Sequence, residues 1–512
     1  MEVDNHFSMG SGCIIVQLSG FQRLNKGLKR GLERSYFWFL SLTLLACGGE
    51  KSIGKGEATV IGFLSDYVPP SSNFDQPKEI DTNFKKLEVP LQEGYWISSL
   101  EMDNGEIELD HLLKRYDDTI TFSFPKEVPS YLPVTITGWA PANENIINAS
   151  RKILIKLEEI IDIKIEETEL VGGLNNLSIS QSIQVLSAGL SYFPNNFYEL
   201  GSDVFLAKGY STPLKYENGL TNYDYEVLLH EIGHALGLKH PFETDRNNIS
   251  ILNTNEDKTK FTAMSYNENS DTFDGTFRPL DWMTLTKLYG VNPEFRSDDD
   301  IYKFDNSDGV FIVDGGGIDT IDASGLADNI HVDLRCGTHS YKGQKSTFIT
   351  SSNQLTISHG SNIENVETGS GADLIIGNNI SNNIISGSGR DEIFAGDGSD
   401  IIYPGKGHDN IDLSEDIQSQ DRVVFEALDE GKSYDTIYGF SQGIEGDVID
   451  LENFNFLGLV ILPIVDASNV PVGYIDNCLL RVFGAGLNDA NILASSFGYG
   501  GIFENLKLST GM

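Results

Sequence analysis

Apolar and polar positions first fall into a regular pattern at Thr119–Phe124 (TITFSF), where strict alternation predicts a strand. The period changes over Asn143–Ile161, where Ile147, Ile153, Leu154, Leu157 and Ile161 lie near one side of a helix. Short apolar stretches at Ile163–Ile165, Leu177–Ile179, Ala188–Pro194 and Val204–Leu206 read as further strands. The helical period returns within Tyr223–Pro241, where Val227, Leu228, Ile232, Ala235 and Leu236 supply a face to bury and no proline intervenes before the end. Gly237 can adopt the positive φ that stops a helix. Strands, a long helix and a second helix predict an α/β (α+β) half built on a mixed sheet.

Another period governs the C-terminal half. Ile375, Ile384, Ile393, Ile402 and Ile411 recur at nine-residue steps. Gly371-x-Asp373, Gly389-x-Asp391, Gly398-x-Asp400 and Gly407-x-Asp409 recur in register with them, and one degenerate unit carries Ile380 and Asn382. Each unit is a glycine-rich turn followed by a short strand with its isoleucine inward, which predicts an all-β parallel roll. Two units make one coil, so Asp373, Asp391 and Asp409 are expected on one edge and Asn382 with Asp400 on the other. Two strong Ca²⁺ sites are expected on the first edge and a weak or absent one on the second. The segment Asp314-Gly315-Gly316-Gly317-Ile318-Asp319 looks like an earlier turn of the same kind. Further strands are predicted at Arg422–Leu428, Asp435–Phe440, Asp447–Leu451, Leu457–Val465 and Leu479–Phe483.

Charge narrows the partners. The 512 residues carry 36 Lys+Arg against 75 Asp+Glu, a formal charge of −39, which argues against a nucleic-acid partner. Four cysteines form no CxxC pair, so thiolate zinc sites are not expected, and Cys336 with Cys478 could be a disulfide or two free thiols. Arg23, Lys26, Lys29, Arg30 and Arg34 precede the apolar run Tyr36–Ala46, the order of a secretory signal. The following Leu44-Leu45-Ala46-Cys47-Gly48 resembles a bacterial lipoprotein cleavage box with Cys47 lipidated; an ordinary signal peptide is the alternative. The expected organisation is 1–47 signal peptide, 48–110 linker or pro-segment, 111–292 α/β domain, 293–413 calcium-binding roll and 414–512 C-terminal β region. An extracellular or cell-surface monomer is expected, an outer-membrane lipoprotein if Cys47 is acylated.

Within the second helix stands His230-Glu231-x-x-His234-x-x-Gly237-x-x-His240. His230 and His234 lie one turn apart on one helix face, and a reversal at Gly237 lets His240 return as a third nitrogen ligand. Three histidines and an open position suit catalytic Zn²⁺, with Glu231 placed as general base. Together with His240-Pro241 and Met264-Ser265-Tyr266, this string resembles the serralysin family of metzincins, from about Thr119 to Leu451.

The resemblance implies a metzincin catalytic domain followed by a parallel β-roll with a β-sandwich-like C-terminal cap. It implies a methionine turn at Met264 beneath the zinc, Tyr266 as a movable fourth ligand that stabilises the oxyanion, and a closing helix at Pro279–Gly290. It makes Ala188–Pro194 the edge strand to which an extended protein or peptide substrate adds. The expected calcium ligands are Asp314, Asp319, Gly369, Gly371, Asp373, Gly387, Gly389, Asp391, Gly396, Gly398, Asp400, Gly405, Gly407 and Asp409. The family often exports through a C-terminal signal; the N-terminal signal here and the ending ENLKLSTGM depart from that. The rival expectation is a calcium-dependent surface-binding or adhesion protein with an inactive metzincin domain. A matrixin-like protease would lack the roll.

Overall fold

The structure, a computed structural model, describes residues 15–18, 58–61, 94–102, 119–172, 176–184, 186–194, 199–208, 220–244, 248–267, 275–425, 435–441, 446–450, 459–461, 473–475, 478–484 and 492–493. It forms two compact units, residues 88–386 and residues 1–87 with 387–512. The expected signal run Tyr36–Ala46 and Cys47 lie outside the described residues. No helix among the described residues is long and apolar enough to cross a membrane.

The first unit begins with a mixed sheet. Thr119–Ser123 runs parallel to Lys164–Glu167 on one side and to Asn176–Ser182 on the other. Asn176–Ser182 pairs in parallel with Val204–Ala207, and Gly189–Ser191 closes the sheet antiparallel to Val204–Ala207. Alternation puts Ile120 and Phe122 into the core, as the pattern predicts. The regular strand, Gly189–Ser191, is shorter than the expected Ala188–Pro194, with a single backbone hydrogen bond continuing at Ala188 and a pair at Tyr192.

The long helix spans Glu144–Ile160, and its N-cap Asn143 accepts hydrogen bonds from the backbone N–H groups of Asn145 and Ile146. Ile146, Ile153, Leu154 and Leu157 bury its inner face. The histidine helix spans Asn222–Ala235 and starts in a reciprocal capping box between Thr221 and Asp224. Leu228, Leu229, Ile232 and Ala235 join the same core. Gly237 sits at φ 104°, a conformation costly for any residue with a Cβ. The chain then reverses and is strapped down: Lys239 N–H donates to Leu100 O at 2.7 Å, and Met102 N–H to Gly237 O at 3.0 Å. The closing helix is Pro279–Tyr289.

Coils of parallel strands follow in the same unit. Ile301–Tyr302, Thr320–Asp322, Asn365–Glu367 and Asn383–Ile385 stack in parallel, with Ile321, Val366 and Ile384 forming a fully buried column. On the facing sheet Ile330–Asp333 pairs in parallel with Leu374–Ile376, and Val332 and Ile375 are buried. Cys336 carries a free thiol.

The second unit repeats the arrangement. Glu392–Phe394, Asn410–Asp412, Thr436–Phe440 and Cys478–Gly484 form one parallel stack. Ile401–Tyr403, Arg422–Val424, Val448–Asp450 and Ile492–Leu493 form the other. Ile393, Ile411 and Ile437 fill one buried column, and Ile402, Val423 and Ile449 the other. Gly389 pairs with Gly407 where successive turns stack, and a Cβ on Gly407 would meet Gly389 O at 1.7 Å. Glycine is therefore required at this point of the turn by close packing.

Candidate active site

His230 and His234 project from one face of the Asn222–Ala235 helix, and the strapped segment after Gly237 brings His240 onto them. His230 Nε2 and His234 Nε2 each lie 3.1 Å from His240 Nε2. The opposite ring nitrogens all face acceptors. His230 Nδ1 lies 2.9 Å from Ala263 O, His234 Nδ1 2.7 Å from Leu238 O, and His240 Nδ1 3.0 Å from a Glu243 carboxylate oxygen. Carbonyl and carboxylate oxygens only accept, so each Nδ1 carries the proton and each Nε2 lone pair points at the common centre. Burial holds His230 neutral, pushing it down to about 4, and His234 falls well below the ordinary imidazole range for the same reason.

Neutral, convergent imidazole nitrogens are a transition-metal donor set. A tetrahedral zinc with Zn–N bonds of about 2.0–2.1 Å sets its donors roughly 3.3 Å apart, close to the observed spacing. His230, His234 and His240 form one of two such clusters among the described residues, and Glu231 is not part of it.

Beneath the histidines Met264 is fully buried. A Cβ on Gly233 would lie 2.7 Å from Met264 Sδ, so the bare glycine lets the methionine sit directly under the helix between the two ligands. The turn carrying Met264 is fixed by Asp281, which nothing in the sequence pattern singled out. Its carboxylate accepts from Thr262 Oγ1 at 2.6 Å, from Ala263 N–H at 2.7 Å and from Arg278 N–H at 2.9 Å. Ala263 in turn presents the carbonyl that orients His230. Asp281 thus stands one contact behind the carbonyl that orients His230.

Tyr266 is exposed, and its hydroxyl lies 2.9 Å from His240 Nε2. Phe242 stacks on the His240 ring with centroids 5.0 Å apart, and Phe193 meets His234 edge-on at 5.4 Å. Glu231 is buried, its carboxylate held by Ser191 Oγ at 2.5 Å. Burial pushes its pKa up to about 7, against the Ser191 hydrogen bond. A cation at the histidines would favour the ionised form.

The carboxylates expected for calcium lie in the turns between strands. In the first unit Asp319 accepts from Asp300 N–H at 2.8 Å, Asp314 from Gly316 N–H at 3.1 Å, and Asp373 from Ile330 N–H at 2.7 Å. Asp319 Oδ2 is buried without a hydrogen-bond partner among the described residues, an orphan that a hard cation would satisfy. Gly369 and Gly371 lie hard against the Leu326 and Asp328 carbonyls. In the second unit Asp391 N–H donates to Asp409 at 2.9 Å across 18 residues, the expected coil length, and Asp409 N–H to Asp435 at 2.9 Å. Gly387, Gly389, Gly405 and Gly407 belong to these stacked turns, and Gly396 and Gly398 to the turn before Asp400.

The other edge of that unit runs further than the repeats indicate. Asp400 N–H donates to Asp421 Oδ1 at 2.9 Å, and Asp421 N–H to Asp447 Oδ1 at 3.1 Å. Glu415, Asp421 and Asp447 converge as the second cluster able to hold a metal. Asp421 is fully buried, its Oδ2 lacks a partner among the described residues, and burial pushes it up to about 8, helped by the Asp447 and Glu415 charges. The nine-residue count misses these residues because the coils lengthen, with partners 21 and 26 residues apart. A detectable signal was an aspartate just before a β-branched strand, in Asp421-Arg-Val-Val and Asp447-Val-Ile as in Asp409-Asn-Ile.

Convergent imidazoles over a buried methionine, in an α/β half leading into parallel coils, make a site of the kind that holds a transition metal. Residues 281–470 match the family described as Peptidase M10 serralysin C terminal. The chain is 30% identical over 302 residues to serralysin of Proteus mirabilis, covering 51% of this chain and 60% of that protein. It is 28% identical over 290 residues to serralysin G of Dickeya chrysanthemi (51% and 59%), and 32% identical over 227 residues to metallopeptidase AprA of Pseudomonas marginalis (38% and 46%). The match thus spans about 60% of the length of the two serralysins. Over the matched residues the chain is similar to the serralysins and has parallel coils like an RTX β-roll, and the cofactors of the serralysin family are zinc and calcium.

Proposed function

We propose that the chain is a secreted zinc-dependent endopeptidase whose metzincin-type domain is carried on a calcium-stabilised roll, with the C-terminal strands as a β-sandwich-like cap. The observation that carries this is the meeting of three Nε2 lone pairs at 3.1 Å with every Nδ1 proton already engaged. His230, His234 and His240 would hold zinc, with Tyr266 at the margin. When bound, zinc supplies Lewis acidity, acidifying a water and polarising the peptide carbonyl.

The chain's own residues do the rest. Gly189–Ser191 ends its sheet among the described residues, leaving a free edge on which an extended peptide can pair by backbone hydrogen bonds. Glu231 takes the proton of the attacking water and passes it to the leaving amine. The Tyr266 hydroxyl donates to the carbonyl oxygen as negative charge develops there. Phe242 and Phe193 wall the histidines and limit water around them. Asp314, Asp319, Asp373, Asp391, Asp400 and Asp409 hold calcium with the glycine carbonyls of their turns, and Glu415, Asp421 and Asp447 extend the series. Location outside the cell goes with this function, whether the chain is free or tethered through Cys47.

A casein zymogram tests the enzyme. A clear band is expected that a zinc chelator abolishes and added zinc restores. A folded, zinc-loaded chain that cleaves nothing would favour the surface-binding alternative.

A further inference from the structure

We infer that Ser191 is a positioning residue for Glu231, and that one face of the Gly189–Ser191 strand is shaped to aim that carboxylate; the inference rests on the endopeptidase reading. Gly189 and Ser191 are two residues apart in a strand, so they share a face. The register fixes them opposite Leu206 and Val204. Ser191 Oγ lies 2.5 Å from Glu231 Oε2 and 2.7 Å from the Glu231 backbone carbonyl oxygen. A hydroxyl has one proton to donate, so it is shared between or alternates over two acceptors of the same residue. The contact ties the carboxylate to its own main chain and removes the rotamers that would swing it away from the histidines.

Gly189 completes the seat. A Cβ there would fall 2.5 Å from Glu231 Oε1 and 2.6 Å from its Cγ. Any other residue at 189 would compete with the carboxylate for the same space. The strand that offers its outer edge to a peptide therefore also grips the group that moves the proton. Ser191 serves both protonation states, because its oxygen can accept from Glu231 once the carboxyl is protonated. Holding a proton-transfer group in line is worth most in the chemical step and little in ground-state binding.

The test compares Ser191→Val with Ser191→Thr, nearly equal in shape and both suited to a strand, in the full chain loaded with zinc and calcium. Ser191→Val is expected to lower kcat for casein-peptide hydrolysis by about tenfold with KM unchanged, a fraction of the roughly 10²–10⁴-fold that general acid–base catalysis supplies. Ser191→Thr is expected to recover most of the loss. In metal-free protein, the infrared carboxyl band that disappears in Glu231→Gln should shift in Ser191→Val and keep its position in Ser191→Thr. Equal kcat and an unshifted band in the two variants would overturn the role, as would a change confined to KM. An inactive parent chain would instead sink the endopeptidase reading and take the Ser191 role with it.

Discussion

Glu231→Gln is expected to lower kcat for peptide hydrolysis by about 10³-fold while zinc stays near one ion per chain. Glutamine keeps the size of the side chain and can still contact Ser191, so the fold and the imidazole cluster should persist. It cannot accept the proton of the attacking water, and the Glu243 carboxylate lies at His240 Nδ1, on the side of the ring away from the convergent Nε2 atoms. The effect should fall on kcat with little change in KM, because the lost interaction exists only as the proton moves. Steady-state kinetics with metal analysis on the same sample checks both halves. Retained turnover would remove Glu231 from the mechanism, and lost zinc would make it a structural residue.

Removal of calcium is expected to unfold the roll. Asp391, Asp400, Asp409, Asp421 and Asp447 are all nearly or fully buried within one unit, in ladders where each carboxylate neighbours the next. Buried carboxylates without a counter-ion must either take up protons or reach water, and both loosen the turns. A single site at a hundred times its Kd contributes about 2.7 kcal/mol, and two such sites approach the whole stability of an ordinary domain, about 5–15 kcal/mol. A calcium-selective chelator should therefore lower the thermal midpoint by at least ~10 °C and diminish the far-ultraviolet β signal. Asp421→Asn, which keeps shape but sheds charge, should weaken one site and lower the calcium-loaded midpoint by about 5–10 °C. An unchanged midpoint after chelation would show that the coils stand without the ion.

Much of this is legible in the sequence. The spacing of His230, His234 and His240 names a helix face and a returning turn, and the isoleucine period names the coil. Those signals are local or strictly periodic, so they survive in one dimension. Ser191 and Asp281 were not legible. Each acts by a contact between a strand and a helix or between a helix and a turn, at separations of 40 and 18–19 residues, and neither has an unusual sequence setting. The cluster of Glu415, Asp421 and Asp447 was hidden for another reason: the glycine-rich turn is replaced and the coil lengthens, so counting by nine runs out just where the carboxylates converge. The regular strand is also shorter than its apolar run suggests, ending at Ser191, although Tyr192 still exchanges backbone hydrogen bonds with Asp203 and Ser202.

The most direct measurement of the central claim is X-ray absorption at the zinc edge on the purified chain. One zinc with three imidazole nitrogens at about 2.0–2.1 Å is expected, with loss of one of the three in His240→Ala. A first shell made only of oxygens, or one unchanged in His240→Ala, would contradict it.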